Sequence, residues 1–200
     1  MELKAITIAE DESFLRQISK EVNFQDKSYL EDIKVLGEYC ANNEVFAMAA
    51  VQLGIPKRII YLRNTKLEKV DDKTWNEARV LINPVIKERI GYTKYWEACA
   101  SCLDNTGLVA RPYKIKVEYY DIDGNKQKCD FIDFESTVLS HEYDHLNGIL
   151  HMDIAEEVLV MTKEERKEFR VEHGYDVYHK FGKYEEYLAV PAWHPHARWQ

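Results

Sequence analysis

Residues 139–148 read Leu-Ser-His-Glu-Tyr-Asp-His-Leu-Asn-Gly. On an α-helix a four-residue step turns about 400°, so His141 and His145 point nearly the same way, one turn apart. Two imidazoles so placed can share one cation. Glu142 steps about 100° off that line, which sets it beside the cation, where a carboxylate base serves a metal that activates water. The plain alternative is a helix with Val138, Leu139 and Leu146 inside and its histidines half exposed. It leaves two imidazoles and a carboxylate on an otherwise apolar helix without a purpose. Two histidines do not complete a catalytic metal site; a third protein ligand and an open position are needed. His151, Asp144 and Asp153 lie nearby in sequence, and Cys99 and Cys102 lie upstream in WEACASCLDNTG. A single Cys-x-x-Cys suits a redox pair or half of a zinc site; no second pair exists for a structural zinc, and the aromatic-Gly-Pro context of a thioredoxin-like site is missing. A thiolate from this stretch is the economical third ligand.

These residues need elements to hold them. Periodicity predicts a short helix over 11–23, with Phe14, Leu15, Ile18 and Val22 on one face, and a stronger one over 28–41, capped by Ser28 with Glu31 three residues on. VFAMAAVQLGIPKRIIYL suits two strands around a Gly-Ile-Pro turn, and ARVLINPVIKERI a third with a bend at Asn83-Pro84. YKIKVEYYDIDGNKQKCDFID is the clearest hairpin, turned at Asp123-Gly124. Residues 134–149 predict the helix that carries the histidines, ending near Gly148. Thr162 and Glu165 form a capping box for a charged helix to about His173, and an aromatic tail follows.

Composition narrows the function classes. The chain has 200 residues, of which 46% are hydrophobic, enough for one core with or without a tail. The net charge of −8 argues against nucleic acid and anionic membrane as partners. No run of 18 apolar residues predicts a membrane span. The amino-terminal stretch turns acidic early and lacks a long apolar core, so it reads as unprocessed and the chain as cytoplasmic. Four cysteines in a chain of this size suggest free thiols or metal ligands rather than a disulfide framework.

Three motifs, in order, make the chain resemble peptide deformylases, which remove the N-formyl group from nascent peptides. VFAMAAVQ (Val45–Gln52) is similar to the family's Gly-φ-Gly-φ-Ala-x-x-Gln, EACAS (Glu97–Ser101) to Glu-Gly-Cys-φ-Ser, and HEYDH with its apolar tail to the third motif. LINPVI and the Arg of GLVARP also fall at family-like places. The resemblance spans roughly residues 5–155. It implies Cys99, His141 and His145 as metal ligands, with Cys102 left as a small buried residue. It implies Glu142 as acid/base, and Gln52 and the Ala100 N–H as donors to an oxyanion. Val45 and Ala47 stand where the family has glycines on the strand that hydrogen-bonds the substrate; a side chain there narrows the cleft or tilts the strand. Glu97 flanks the ligand, and Phe134, Thr137 and Val138 line the methionine pocket or serve as plain core.

The implied metal is Fe²⁺, one ion per chain and sensitive to oxygen, with Zn²⁺, Ni²⁺ or Co²⁺ as possible occupants. The implied partners are N-formylated peptides emerging from the ribosome. The implied fold is α+β, with short antiparallel sheets around a central helix carrying HExxH. Residues 1–160 form the catalytic domain, and 161–200 the charged helix and aromatic tail. Two other readings stand beside this one. One is a different HExxH metallohydrolase, such as a peptidase. The other is a weakly active or diverged paralogue that binds modified peptide N-termini.

Overall fold

The computed structural model describes residues 3–43, 45–63, 79–91 and 93–173. Its fold is α+β, with two antiparallel sheets. Strands β1 (Ala47–Ala49), β2 (Ile59–Leu62), β3 (Arg79–Ile90), β6 (Lys114–Tyr120) and β7 (Lys126–Ile132) form a five-stranded sheet in the order β1-β2-β3-β6-β7. Strands β4 (Thr93–Ala98), β5 (Asn105–Arg111) and β8 (Glu157–Val160) form a second, in the order β4-β5-β8.

Side-chain alternation in β2 shows why helices cover both faces of the larger sheet. Ile59 and Tyr61 pack with Ile33, Leu36, Tyr39 and Cys40 of helix α2 (Tyr29–Asn42). Ile60 and Leu62 join Leu81, Ile115, Val117 and Phe131 against Leu139 of helix α3 (Phe134–His145) and Leu146 just after it. Period-two alternation puts successive residues on opposite faces, so a four-residue apolar run needs both helices.

The expected bend in the third strand is a register shift between Ile82 and Val85. Pro84 has no N–H to give the ladder. Asn83 takes a positive φ of 50°, and its side-chain amide exchanges two hydrogen bonds with the Val22 backbone. The β6–β7 hairpin turns at Gly124, where the backbone has φ 83°, and Asp121 accepts hydrogen bonds from the Asp123 and Asn125 N–H groups. A single helical turn, α4 (His151–Ile154), leads from the histidine-bearing segment to β8. The capping box at Thr162 then opens helix α5 (Lys163–Glu172) as expected. Residues 174–200, the aromatic tail, lie outside the described residues.

Two expectations are corrected. Helix α1 covers Ile8–Leu15 rather than 11–23, opened by a Thr7–Glu10 capping box. Beyond it Ile18 is 72% exposed, and Lys20 forms a parallel bridge with Lys57. Ser28 does not cap α2 through its side chain; it is itself in helical conformation, and its hydroxyl donates to Asp26 and accepts from Lys57.

No helix among the described residues is long and apolar enough to cross a membrane.

Candidate active site and metal centre

Helix α3 buries polar side chains where most helices bury apolar ones: Ser136, Thr137, Ser140, His141, Glu142, Asp144 and His145 are all inside. The chain leaves it through Gly148, whose φ is 71° and whose missing Cβ would lie 2.1 Å from the Arg16 carbonyl oxygen. No side chain fits there, so glycine allows the segment to close over the amino-terminal strap. The histidines sit as the four-residue spacing predicts, with ring centroids 4.9 Å apart and their Nε2 atoms 3.3 Å apart.

The turn after β4 brings in the third donor. Cys99 precedes a single turn of 3₁₀ helix, Ala100–Cys102, and its Sγ lies 3.2 Å from His145 Nε2. Sγ and the two histidine nitrogens all fall within 4.8 Å of one another, buried. One thiolate and two imidazoles so gathered fit a divalent ion that accepts soft or borderline ligands. The other nearby candidates stay out of the cluster. Asp144 pairs with Arg111, Asp153 with Arg16, and His151 stacks on the His141 ring at 5.7 Å between centroids.

The first motif arrives from the edge of the larger sheet. After β1 the chain tightens into a 3₁₀ turn over Ala50–Leu53 rather than continuing as strand, and this points Gln52 inward at 2% exposure. Gln52 Nε2 donates to Ser101 Oγ at 3.2 Å and to Cys99 Sγ at 3.4 Å. The Ala49 N–H is shared between Gln52 Oε1 at 3.0 Å and Glu142 Oε2 at 2.7 Å. A single backbone donor therefore ties the first motif to the third. Ala100 is exposed beside the cluster.

Behind the histidines lies a buried ion network. Glu97 Oε2 faces His141 Nδ1 at 2.8 Å. Arg111 grips the same carboxylate at 2.7 and 2.9 Å and also pairs with Asp144. A carboxylate on Nδ1 leaves Nε2 free as the ligand atom and fixes the ring plane.

The electrostatics suit a cation. Burial alone would pull the His141 imidazole down, but the Cys99 sulfur and the Glu97 carboxylate more than reverse this and hold it well above the ordinary histidine range. The pocket thus favours a positive charge among its donors. Burial pushes the Glu142 carboxyl up to about 7, against the opposing pull of His141 and the Ala49 N–H. A carboxylate poised near neutral pH suits a general base. For Glu97 burial also raises the carboxyl, yet Arg111 overcomes it and keeps the group ionised far below the usual range.

The family model for polypeptide deformylase matches residues 3–159. The chain belongs to the polypeptide deformylase family. It is 38% identical over 156 residues to the peptide deformylase of Pelagibacter ubique, covering 76% of this chain and 86% of that one. Among solved structures it is similar to a probable peptide deformylase from Synechococcus phage S-SSM7, with a TM-score of 0.66 and 34% identity, over 76% of this chain and 99% of that one. It is also similar to a Met-Ala-Ser-bound class I type b peptide deformylase from Acinetobacter baumannii, with a TM-score of 0.65 and 26% identity, over 76% and 98%.

The other deformylase-like positions spread around this centre. Phe134 is half-buried and meets Phe46 edge-on at 5.2 Å, Thr137 is buried, and Val138 packs at the margin of the α3 core. Ala47 lies in that core, whereas Val45, outside β1, packs on the α2 side. The sequence offers Asp144 as a metal ligand, whereas here it pairs with Arg111. It marks Arg111 only by its place in GLVARP, and the Ala49 N–H carries no assigned role in it.

Proposed function

We propose that the chain hydrolyses the N-terminal formyl group of formyl-methionyl peptides and releases formate. The observation that carries this is the joining of all three motifs at one buried point: Cys99, His141 and His145 converge, with Gln52 and Glu142 sharing the Ala49 N–H beside them. Cys99, His141 and His145 would hold one divalent ion; a thiolate and two imidazoles accept Fe²⁺, Zn²⁺, Co²⁺ or Ni²⁺ alike, and the family resemblance implies Fe²⁺ as the working metal. When bound, such an ion polarises a carbonyl and lowers the pKa of water towards about 7. Glu142 removes the proton from the attacking water and returns it to the departing amine. The Gln52 amide and the Ala100 N–H donate to the oxygen of the formyl carbonyl as charge develops there. Glu97 holds His141, and Arg111 holds Glu97.

The substrate peptide lies along β1, an edge strand with no strand paired to its outer side among the described residues. Main-chain hydrogen bonds to such an edge recognise any peptide backbone, and a side-chain pocket adds selectivity. Phe134, Thr137 and Val138 of the metal-bearing helix supply that pocket for methionine. The formylated termini of new chains, met in the cytoplasm at the ribosome, are the natural supply of this substrate. Residues up to about 160 carry the chemistry, and 161–200 are an appendage to it.

The test is deformylation of a formyl-Met-Ala peptide by anaerobically purified Fe²⁺ protein, beside Glu142→Ala with its metal content measured. Turnover that is lost in the variant while metal is retained supports the reading. Equal rates in the two proteins would refute it.

A further inference from the structure

Cys102 closes the ligand turn and takes no part in the reaction. It follows Cys99 by three residues and is fully buried, in a cluster that also contains Cys99, Leu15 and Leu150. The turn between the two cysteines is closed: the Cys102 N–H donates to the Cys99 carbonyl at 3.1 Å. Cys99 is extended (φ −136°, ψ 138°) and Ala100–Cys102 form the 3₁₀ turn. A turn closed this way holds its first and fourth Cα atoms within roughly 7 Å, which is the span a disulfide requires. A cysteine at the cap of a helical turn and another three residues on is the layout of Cys-x-x-Cys redox pairs.

We propose that Cys99 and Cys102 form a redox pair in which Cys102 resolves oxidised Cys99 into a disulfide, withdrawing it reversibly from the metal site. The oxidant is a peroxide. The Cys99 sulfur attacks the peroxide O–O bond, keeps one oxygen as sulfenic acid, and the other leaves as water. The Cys102 sulfur then attacks the Cys99 sulfur, and the hydroxyl departs with the Cys102 proton as a second water. A dithiol gives back both hydrogens and restores the ligand. Without a resolving thiol, the sulfenic acid proceeds to sulfinic and sulfonic acids, which a dithiol does not reverse. The metal protects the pair by occupying the Cys99 sulfur, so loss of the ion precedes the lock.

The proposal rests on Cys99 being a metal ligand, and its test reads thiols and zinc rather than formyl hydrolysis. A chain inactive on formyl peptides would leave every outcome unchanged. The full chain, stripped of metal or loaded with Zn²⁺, is treated with hydrogen peroxide; remaining thiols are alkylated and the digest is weighed. In the stripped protein the peptide holding Cys99 and Cys102 should be one hydrogen lighter per cysteine and unalkylated. Dithiothreitol should reverse this and restore stoichiometric zinc binding, and the zinc-loaded protein should resist. Cys102→Ser and Cys102→Ala, checked first for normal zinc stoichiometry and thermal unfolding, should instead gain two or three oxygens on Cys99 and recover no zinc binding. Separate alkylation or over-oxidation of Cys99 in the wild type, with Cys102 still a free thiol, would overturn the proposal. So would variants that recover zinc as fully as the wild type.

Discussion

Replacing Arg111 by methionine should be among the most destabilising single changes in this chain, and its cost should depend on pH. Arg111 is 1% exposed and lies between Glu97, at 4%, and Asp144, at 3%. Methionine keeps much of the side-chain volume but leaves both carboxylates buried without their cation. Removing one partner of a buried pair typically costs about 3–5 kcal/mol, a large share of the roughly 5–15 kcal/mol that holds a domain together. The pH dependence follows from Glu97. In the wild type, burial raises this carboxyl and Arg111 more than reverses the effect, so the folded group ionises well below its unfolded value of 4.5. A group depressed in the fold stabilises fully above its unfolded pKa and loses that contribution only as pH falls below it. Glu97 therefore adds no slope to wild-type stability between about pH 5.5 and 8. Without Arg111 only the His141 ring still opposes burial, and the folded carboxyl should rise above the unfolded one. Stability is then greatest at low pH and declines as pH climbs from the unfolded value through the raised one. Each tenfold change in a group's proton affinity is worth about 1.4 kcal/mol, so the variant's deficit should be larger at pH 8 than at pH 5.5 by at least about 1 kcal/mol. Guanidinium unfolding of metal-free protein, followed by tryptophan fluorescence at both pH values, measures this without a contribution from metal binding. Arg111→Lys should recover only part of the loss, because an ammonium cannot fork onto Glu97 and still reach Asp144. A methionine variant within about 1 kcal/mol of wild type at pH 8, or a deficit identical at both pH values, would refute the account.

Gln52→Ala should lower kcat by about 10²–10³ with zinc stoichiometry unchanged, as removal of one oxyanion donor does elsewhere; steady-state kinetics on a formyl peptide beside metal analysis checks both. Zinc at about a hundredfold excess over its dissociation constant should stabilise the wild type by about 2.7 kcal/mol, and His145→Ala should abolish that gain in thermal unfolding. Leu103 takes φ 57° and ψ −132° with its side chain 48% exposed, a conformation that costs a non-glycine residue about 1–3 kcal/mol. Leu103→Gly should therefore raise the unfolding free energy by about 1 kcal/mol in denaturant titration.

What the sequence revealed depended on whether a signal was local. The four-residue histidine spacing, the Thr162–Glu165 cap and the Asp123-Gly124 turn each lie within one element, and each has its expected geometry in the fold. Phe14, Leu15, Ile18 and Val22 had helical spacing too, yet Arg16 is held by Asp153 and the Ser19 N–H by the Leu146 carbonyl, so tertiary partners pull that segment out of a helix. Arg111 shows the opposite case. A lone arginine has no pattern of its own; its meaning comes from Glu97, fourteen residues back on the neighbouring strand, and Asp144 on α3. The Ala49 N–H is less visible still, because a backbone donor leaves no mark in a sequence at all.

The replaced glycines of the first motif illustrate why register matters as much as residue type. By period two, Val45 and Ala47 should share a face, and two added side chains would then crowd the same side of the cleft. The chain bends at Phe46 before β1 begins, and the Val45 N–H bonds back to the Cys40 carbonyl at the end of α2. The Val45 side chain accordingly packs with the α2 cluster, away from α3. Ala47 alone remains on the α3 side, 7% exposed, directly across from Leu62 of β2. The change relative to a glycine pair is thus one methyl group facing α3, while the outer edge of β1 has no strand paired to it among the described residues. If Thr137 and Val138 line the methionine pocket as proposed, this methyl would bear on which side chain fits beside them, whereas Cys99, His141 and His145 converge elsewhere on α3 and the ligand turn.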